Sequence, residues 1–193
     1  MGISFLKKLF SFISPTKPPF KILILGLDRA GKTSFVNMLK LGDFTKPMQT
    51  MGINVETINK DGLNLNILDL GGQDTFRLAL WPKFLEIGAD AIFFVVDSTD
   101  KDRLVYNEVE LAKLFDYAKS RFVPIVILAN KQDLSGAVSP GEVALQMNLL
   151  DYTLSSSNNK PRSLQIFPTS MKTGEGVEQV IEYLKSIYNK KNN

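Results

Sequence analysis

The 193-residue chain contains no cysteine and no histidine. This excludes disulfides, thiol nucleophiles, cysteine–histidine zinc sites, imidazole bases and every C-terminal prenylation signal, which requires a cysteine. Chemistry must come from carboxylates, amides, hydroxyls, lysines and the backbone. Long apolar runs are also missing. The longest without proline or a polar residue, Ala91 to Val96, has six residues, against about 20 for a helix that spans a bilayer. The first nineteen residues do not read as a secretory signal, because Lys7 and Lys8 interrupt the apolar stretch and Pro15, Pro18 and Pro19 follow it. A cytoplasmic protein is expected. Excess charge is small, +3 with the lysines dispersed except near the ends, so no nucleic-acid footprint is expected.

Apolar residues make up 44% and charged residues 22% of the chain, the balance of a packed globular protein of one domain. Residues 1–14 read as an amphipathic helix, 15–19 as a proline-rich hinge, 20–189 as the domain and 190–193 as a tail. Apolar runs at Phe20 to Leu25, Ile53 to Ile58, Leu63 to Leu68, Ala91 to Val96, Pro124 to Ala129 and Leu164 to Phe167 read as strands. Helical stretches lie at Lys32 to Leu41, Arg103 to Lys119, Pro140 to Met147 and Val177 to Tyr188. Asp61-Gly62 signals a hairpin between the second and third strands. Elsewhere strands and helices alternate, which predicts an α/β fold: a six-stranded, mostly parallel sheet with helices on both faces. The serine- and asparagine-rich segment Ser155 to Lys160 reads as a surface loop.

Gly26-Leu27-Asp28-Arg29-Ala30-Gly31-Lys32-Thr33 fits G-x-x-x-x-G-K-[ST], and the strand before it and helix after it are what a P-loop requires. Such a loop curls so that backbone N–H groups, here those of Asp28 through Ser34, point at phosphate oxygens, and the helix N-terminus adds partial positive charge. Lys32 would reach the β and γ phosphates, and the Thr33 hydroxyl would serve Mg²⁺. The plain alternative is a glycine turn without a ligand. Asp69-Leu70-Gly71-Gly72-Gln73 follows the third strand, so Asp69 emerges at the carboxyl end of the sheet beside the loop. Asp69 can hold Mg²⁺, Gly72 can offer its N–H to a γ phosphate, and Gln73 can orient an attacking water. Arg29 reads first as a solvated residue and second as a charge donor to phosphate.

Asn130-Lys131-Gln132-Asp133 follows the fifth strand. The Asp133 carboxylate can accept from guanine N1–H and the 2-amino group, donors that adenine lacks, so GTP and GDP are preferred over ATP. Asn130 is expected to tie loops together, and the Lys131 stem can cover one face of the base. Ser170-Met171-Lys172 could set the Met171 N–H on the guanine oxygen.

These motifs, with Thr50-Met51-Gly52-Ile53-Asn54-Val55-Glu56-Thr57 between the first two, resemble in residues and order the Arf and Arf-like family of small GTPases, over roughly Phe20 to Tyr188. The resemblance implies the small-GTPase fold, a monomer, slow Mg²⁺-dependent GTP hydrolysis, and dependence on an exchange factor, an activating protein and effectors. It implies that Thr50 is the switch I threonine that contacts Mg²⁺ and γ phosphate in the GTP state, and that residues from Gln73 to Phe84 form switch II. It also implies a hairpin that slides by two residues between nucleotide states, a shift that keeps each side chain on its own face. The family's aromatic effector triad falls at Ile53, Leu68 and Phe84, and the stretch from Gln73 to Trp81 is one residue longer.

At 100° per residue, Ser4, Lys7, Lys8 and Ser11 share one sector of a helix over residues 3 to 13, and the rest is apolar. Such a helix either docks on its own domain or lies in a membrane interface. Resemblance implies both in turn, hence reversible membrane association and a role in trafficking. Gly2 could carry a myristoyl group, although Leu6 stands where that signal prefers serine or threonine. The competing function is a GTP-binding subunit of a membrane complex that does not hydrolyse its ligand. A P-loop ATPase is a third.

Overall fold

The structure is a computed structural model and describes residues 19–44, 52–149 and 164–192. The terminal amphipathic pattern, Gly2, Thr50 and the segment Ser155 to Lys160 lie outside these residues. Strands β1 (Phe20–Leu25), β2 (Ile53–Lys60), β3 (Leu63–Leu70), β4 (Ala91–Asp97), β5 (Ile125–Asn130) and β6 (Leu164–Pro168) form one sheet in the order β2-β3-β1-β4-β5-β6. Only the β2–β3 pairing is antiparallel. Its two-residue turn, Asp61-Gly62, has φ of 51° and 79°. Positive φ at both central residues gives the turn a twist that matches its strands.

Alternation along each central strand divides the core into two layers. Leu23, Leu25, Ile92, Phe94 and Val96 face one side, with helices α2 (Asp74–Ile87), α3 (Leu104–Arg121) and α4 (Pro140–Gln146) supplying Trp81, Phe84, Leu111, Leu114 and Val143. Ile22, Ile24, Phe93 and Val95 face the other, covered by α1 (Lys32–Leu41) and α5 (Val177–Asn192) through Phe35, Val36, Val180 and Leu184. Helices therefore cover both faces, as the strand and helix alternation predicted. Among the described residues, no helix is long and apolar enough to cross a membrane.

Two elements differ from the sequence reading. Helix α2 fills the region expected only as switch II, and it includes Pro82. The proline weakens the local helical signal because it has no N–H for the ladder, but burial of Trp81 and Phe84 holds the segment to the sheet. The last helix runs past Tyr188 to Asn192, so residues 190–192 are helix and not tail. Lys191 pairs with Asp90 at the start of β4, which anchors those extra residues.

The register then sets the site. Ile24 of β1 lies opposite Asp69 of β3, Leu25 opposite Phe94 of β4, and Asp97 of β4 opposite Asn130 of β5. Four strand ends thus deliver the Gly26 loop, Asp69, Asp97 and Asn130 to one edge of the sheet.

Candidate functional site: a phosphate loop beside a base pocket

The loop after β1 closes on its own lysine. Lys32 is buried, and its Nζ donates to the carbonyls of Gly26 at 3.0 Å and Leu27 at 2.7 Å. Burial lowers its pKa to about 8; the carboxylates of Asp69 and Asp28 pull it back up, and the Arg103 guanidinium pushes it further down. Gly31 is in the left-handed region at φ 107°, and a Cβ there would strike the Asn130 side chain. Glycine is needed at that point for both reasons. Ala30 and Ser34 are buried behind the loop, and Gly31 precedes the first turn of α1.

Thr33 Oγ1 donates to Asp69 Oδ2 at 2.6 Å, and Asp69 is fully buried at the end of β3. A hydroxyl and a carboxylate side by side are two hard oxygen donors of the kind Mg²⁺ uses with water and phosphate oxygens. The residues present fit that ion. Gly72 is buried against the loop, where a Cβ would collide with the backbone of Leu27 and Asp28. Gln73 is half-buried and begins α2, its carbonyl accepting from Arg77 N at 2.8 Å.

Asn130 joins the two halves of the site. Its Nδ2 donates to the Ala30 carbonyl at 2.8 Å, and its Oδ1 accepts from Met171 N at 3.0 Å. The Met171 N–H, expected on the guanine oxygen, is therefore given to Asn130 in this structure. Asp133 is held by Ser170, whose Oγ donates to Asp133 Oδ1 at 2.7 Å, and Lys172 Nζ stands 3.8 Å from Asp133 Oδ2. Lys131, at φ 70°, pairs with Asp97.

Three supporting residues escaped the sequence reading. Asp97 fixes Lys131 and also accepts from Thr99 N and Oγ1 at 3.0 and 2.6 Å. Gln132 donates to Ser98 Oγ at 3.1 Å and to the Val138 carbonyl at 3.0 Å. Arg103 donates to Asp28 Oδ1 at 2.6 Å. Its place at the end of an apolar strand and of its N–K–x–D neighbour could have marked Asp97; nothing local marks Arg103. Arg29, by contrast, has a side chain 79% exposed. Of the places matching the family's aromatic triad, Leu68 and Phe84 are buried in the core and Ile53 packs against it.

A family model described as the ADP-ribosylation factor family matches residues 5–188. The chain belongs to the Arf family. It is 39% identical over 164 residues to ADP-ribosylation factor-like protein 1 of Saccharomyces cerevisiae, covering 85% of each chain. It is 38% identical over 164 residues to ADP-ribosylation factor-like protein 3 of Chlamydomonas reinhardtii, covering 85% of this chain and 88% of that one. A solved structure of the Arl6 BBS3 small GTPase from Trypanosoma brucei, with bound nucleotide analogue GppNp, superposes with a TM-score of 0.77. That match is 28% identical and covers 89% of this chain and 98% of the other. This Arf-family protein is thus a GTP-binding switch of the small-GTPase fold.

Proposed function

We propose that this protein hydrolyses GTP slowly with Mg²⁺ and couples its nucleotide state to reversible membrane association and effector recruitment. The observation that carries the reading is the convergence of Lys32, the Thr33–Asp69 pair and the Asn130–Asp133 segment on one edge of the sheet. In this reading the amides of Asp28, Arg29, Ala30, Gly31, Lys32, Thr33 and Ser34 bind the phosphates, and the Lys32 ammonium neutralises charge that builds on the transferred group. Thr33 and Asp69, with Thr50 of switch I, would hold Mg²⁺, which supplies charge neutralisation at the β and γ phosphate oxygens. Gly72 presents its N–H to the terminal phosphate, and Gln73 orients the attacking water. Asp133, with Ser170 and Lys172 beside it, selects guanine, and Lys131 covers the base. An activating protein, rather than the solvated Arg29, would supply an arginine to the transferred phosphoryl group.

Single-turnover phosphate release by the wild type and by Gln73→Leu tests the catalytic half. A slow but measurable wild-type rate that falls at least ~10-fold in the variant is expected for a lost water-orienting group. Equal, negligible rates would leave a binding subunit that does not hydrolyse its ligand. The membrane half rests on the amphipathic pattern of residues 3–13. Flotation with liposomes should recover the GTP-loaded protein preferentially, and equal recovery of both nucleotide forms would reject the coupling.

A further inference from the structure

The P-loop of this chain carries a carboxylate where it must receive an anion. Asp28 lies between Gly26 and Lys32, and its charge is felt by the Lys32 ammonium that the loop holds for phosphate. Left alone, an acid in that position would repel a terminal phosphate, since like charges a few ångströms apart in a partly buried site are weakly screened. The adjacent Arg29 offsets little of it, pairing only loosely with Nε 3.8 Å from Oδ2 and a side chain 79% exposed. The offset comes from 75 positions further along the chain.

Arg103 Nη1 donates to Asp28 Oδ1 at 2.6 Å, and Arg103 Nε donates to Asp100 Oδ2 at 2.6 Å. Its backbone is fixed as well, with N donating to the Asp100 carbonyl at 3.1 Å and the carbonyl accepting from the Asn107 side chain at 2.9 Å. One planar guanidinium thus spans two carboxylates, a geometry that lysine's point charge cannot reproduce. Partial burial works against its charge, but the two acids more than offset that and hold its pKa above the usual value. Engaged on both edges, Arg103 is not disposed to reach a transferred phosphoryl group itself.

We infer that Arg103 is a positioning residue of the nucleotide site: it neutralises the Asp28 carboxylate and turns it aside so that the loop accepts a terminal phosphate. This rests on the guanine-nucleotide reading of the P-loop. The consequence is selective. GTP carries one more charge than GDP at the end facing Asp28, so loss of Arg103 weakens GTP binding more than GDP binding.

Release of fluorescent GTP and GDP from the full-length protein in Mg²⁺ tests this. Arg103→Gln should release GTP about 10-fold faster and GDP only about 3-fold faster than wild type, the scale of one exposed unit charge. Adding Asp28→Asn should restore GTP retention to within about 3-fold of wild type, because the offending charge is gone. A purely structural arginine predicts the opposite: equal losses for both nucleotides, and no rescue. Either of those results overturns the inference, as does unchanged release by Arg103→Gln. Should Arg103→Gln fail to fold, Asp28→Asn is compared with Asp28→Asn/Arg103→Gln: equal GTP release supports the inference, and a further loss in the double variant overturns it. If wild type itself retains no guanine nucleotide, the failure belongs to the nucleotide reading and not to Arg103.

Discussion

Asn130 Nδ2 donates a hydrogen bond of 2.8 Å to the Ala30 carbonyl, across 100 positions of sequence. The phosphate loop and the base loop are therefore one mechanical unit, because the same amide also takes the Met171 N–H through Oδ1. Asn130→Ala would orphan a buried carbonyl and a buried N–H at once. Each costs about 1–3 kcal/mol when left unsatisfied. Chemical denaturation should show a loss of about 2–6 kcal/mol, and nucleotide release should accelerate in parallel. A variant that is destabilised but releases nucleotide at the wild-type rate would show that the two loops are not coupled.

Lys32 makes affinity sensitive to pH. Burial lowers its pKa to about 8 in the nucleotide-free protein, whereas phosphate favours the charged ammonium, so binding takes up a proton above that pH. Affinity for Mg²⁺-GDP should fall by about an order of magnitude between pH 7.5 and pH 9. The stability of the free protein moves the other way. Its folded pKa lies below the ordinary lysine value of 10.5, so the unfolded chain binds more protons between these values and stability rises with pH through that window. Isothermal titration and denaturation across the range measure both slopes. A flat affinity profile would mean that Lys32 is not the phosphate ligand.

The Asp133 carboxylate proposed to select the purine accepts from Ser170 Oγ at 2.7 Å. Asp133→Asn replaces an acceptor by a group that presents a donor to guanine's own donors, and it should reduce guanine-nucleotide affinity by at least ~100-fold. Ser170→Ala keeps the carboxylate but frees its rotation, and about a 10-fold loss is expected. Competition binding with GDP and ADP reads both. Full GDP affinity in Asp133→Asn would remove the base-site assignment.

Helix α2 is tied to α3 by an ion pair with little access to water. Arg77 Nη1 lies 2.9 Å from Glu110 Oε1, and the side chains are 12% and 8% exposed. Removing Glu110 leaves the buried Arg77 guanidinium with only the exposed Asp74 carboxylate, 2.7 Å from Nη2, at a cost of about 3 kcal/mol, the low end for a broken buried pair. Glu110→Ala should lower stability by that amount, and Arg77→Met/Glu110→Leu should recover most of it because neither charge is then buried. Hydrogen exchange over residues 74–87 should rise in the single variant only. No recovery in the apolar pair would show that the helix is held by other contacts.

The amino-acid sequence alone determined the strand and helix alternation, the Asp61-Gly62 hairpin and the three nucleotide motifs. Each is carried by residues adjacent in the chain, so period, turn chemistry and spacing express them locally. The P-loop glycines, for instance, are legible because Gly31 must take a φ that side chains rarely adopt. Only tertiary structure decided that α2 is a helix, since Pro82 blurs its pattern and burial of Trp81 and Phe84 settles it. It also decided which arginine serves the phosphate loop. Arg29 is next to Asp28 in sequence yet is largely exposed and comes only within 3.8 Å of its carboxylate, while Arg103 arrives from the start of another helix to meet the same carboxylate at 2.6 Å. Parallel strands place the ends of distant segments side by side, and an ion pair depends on that separation in space and not on separation along the chain.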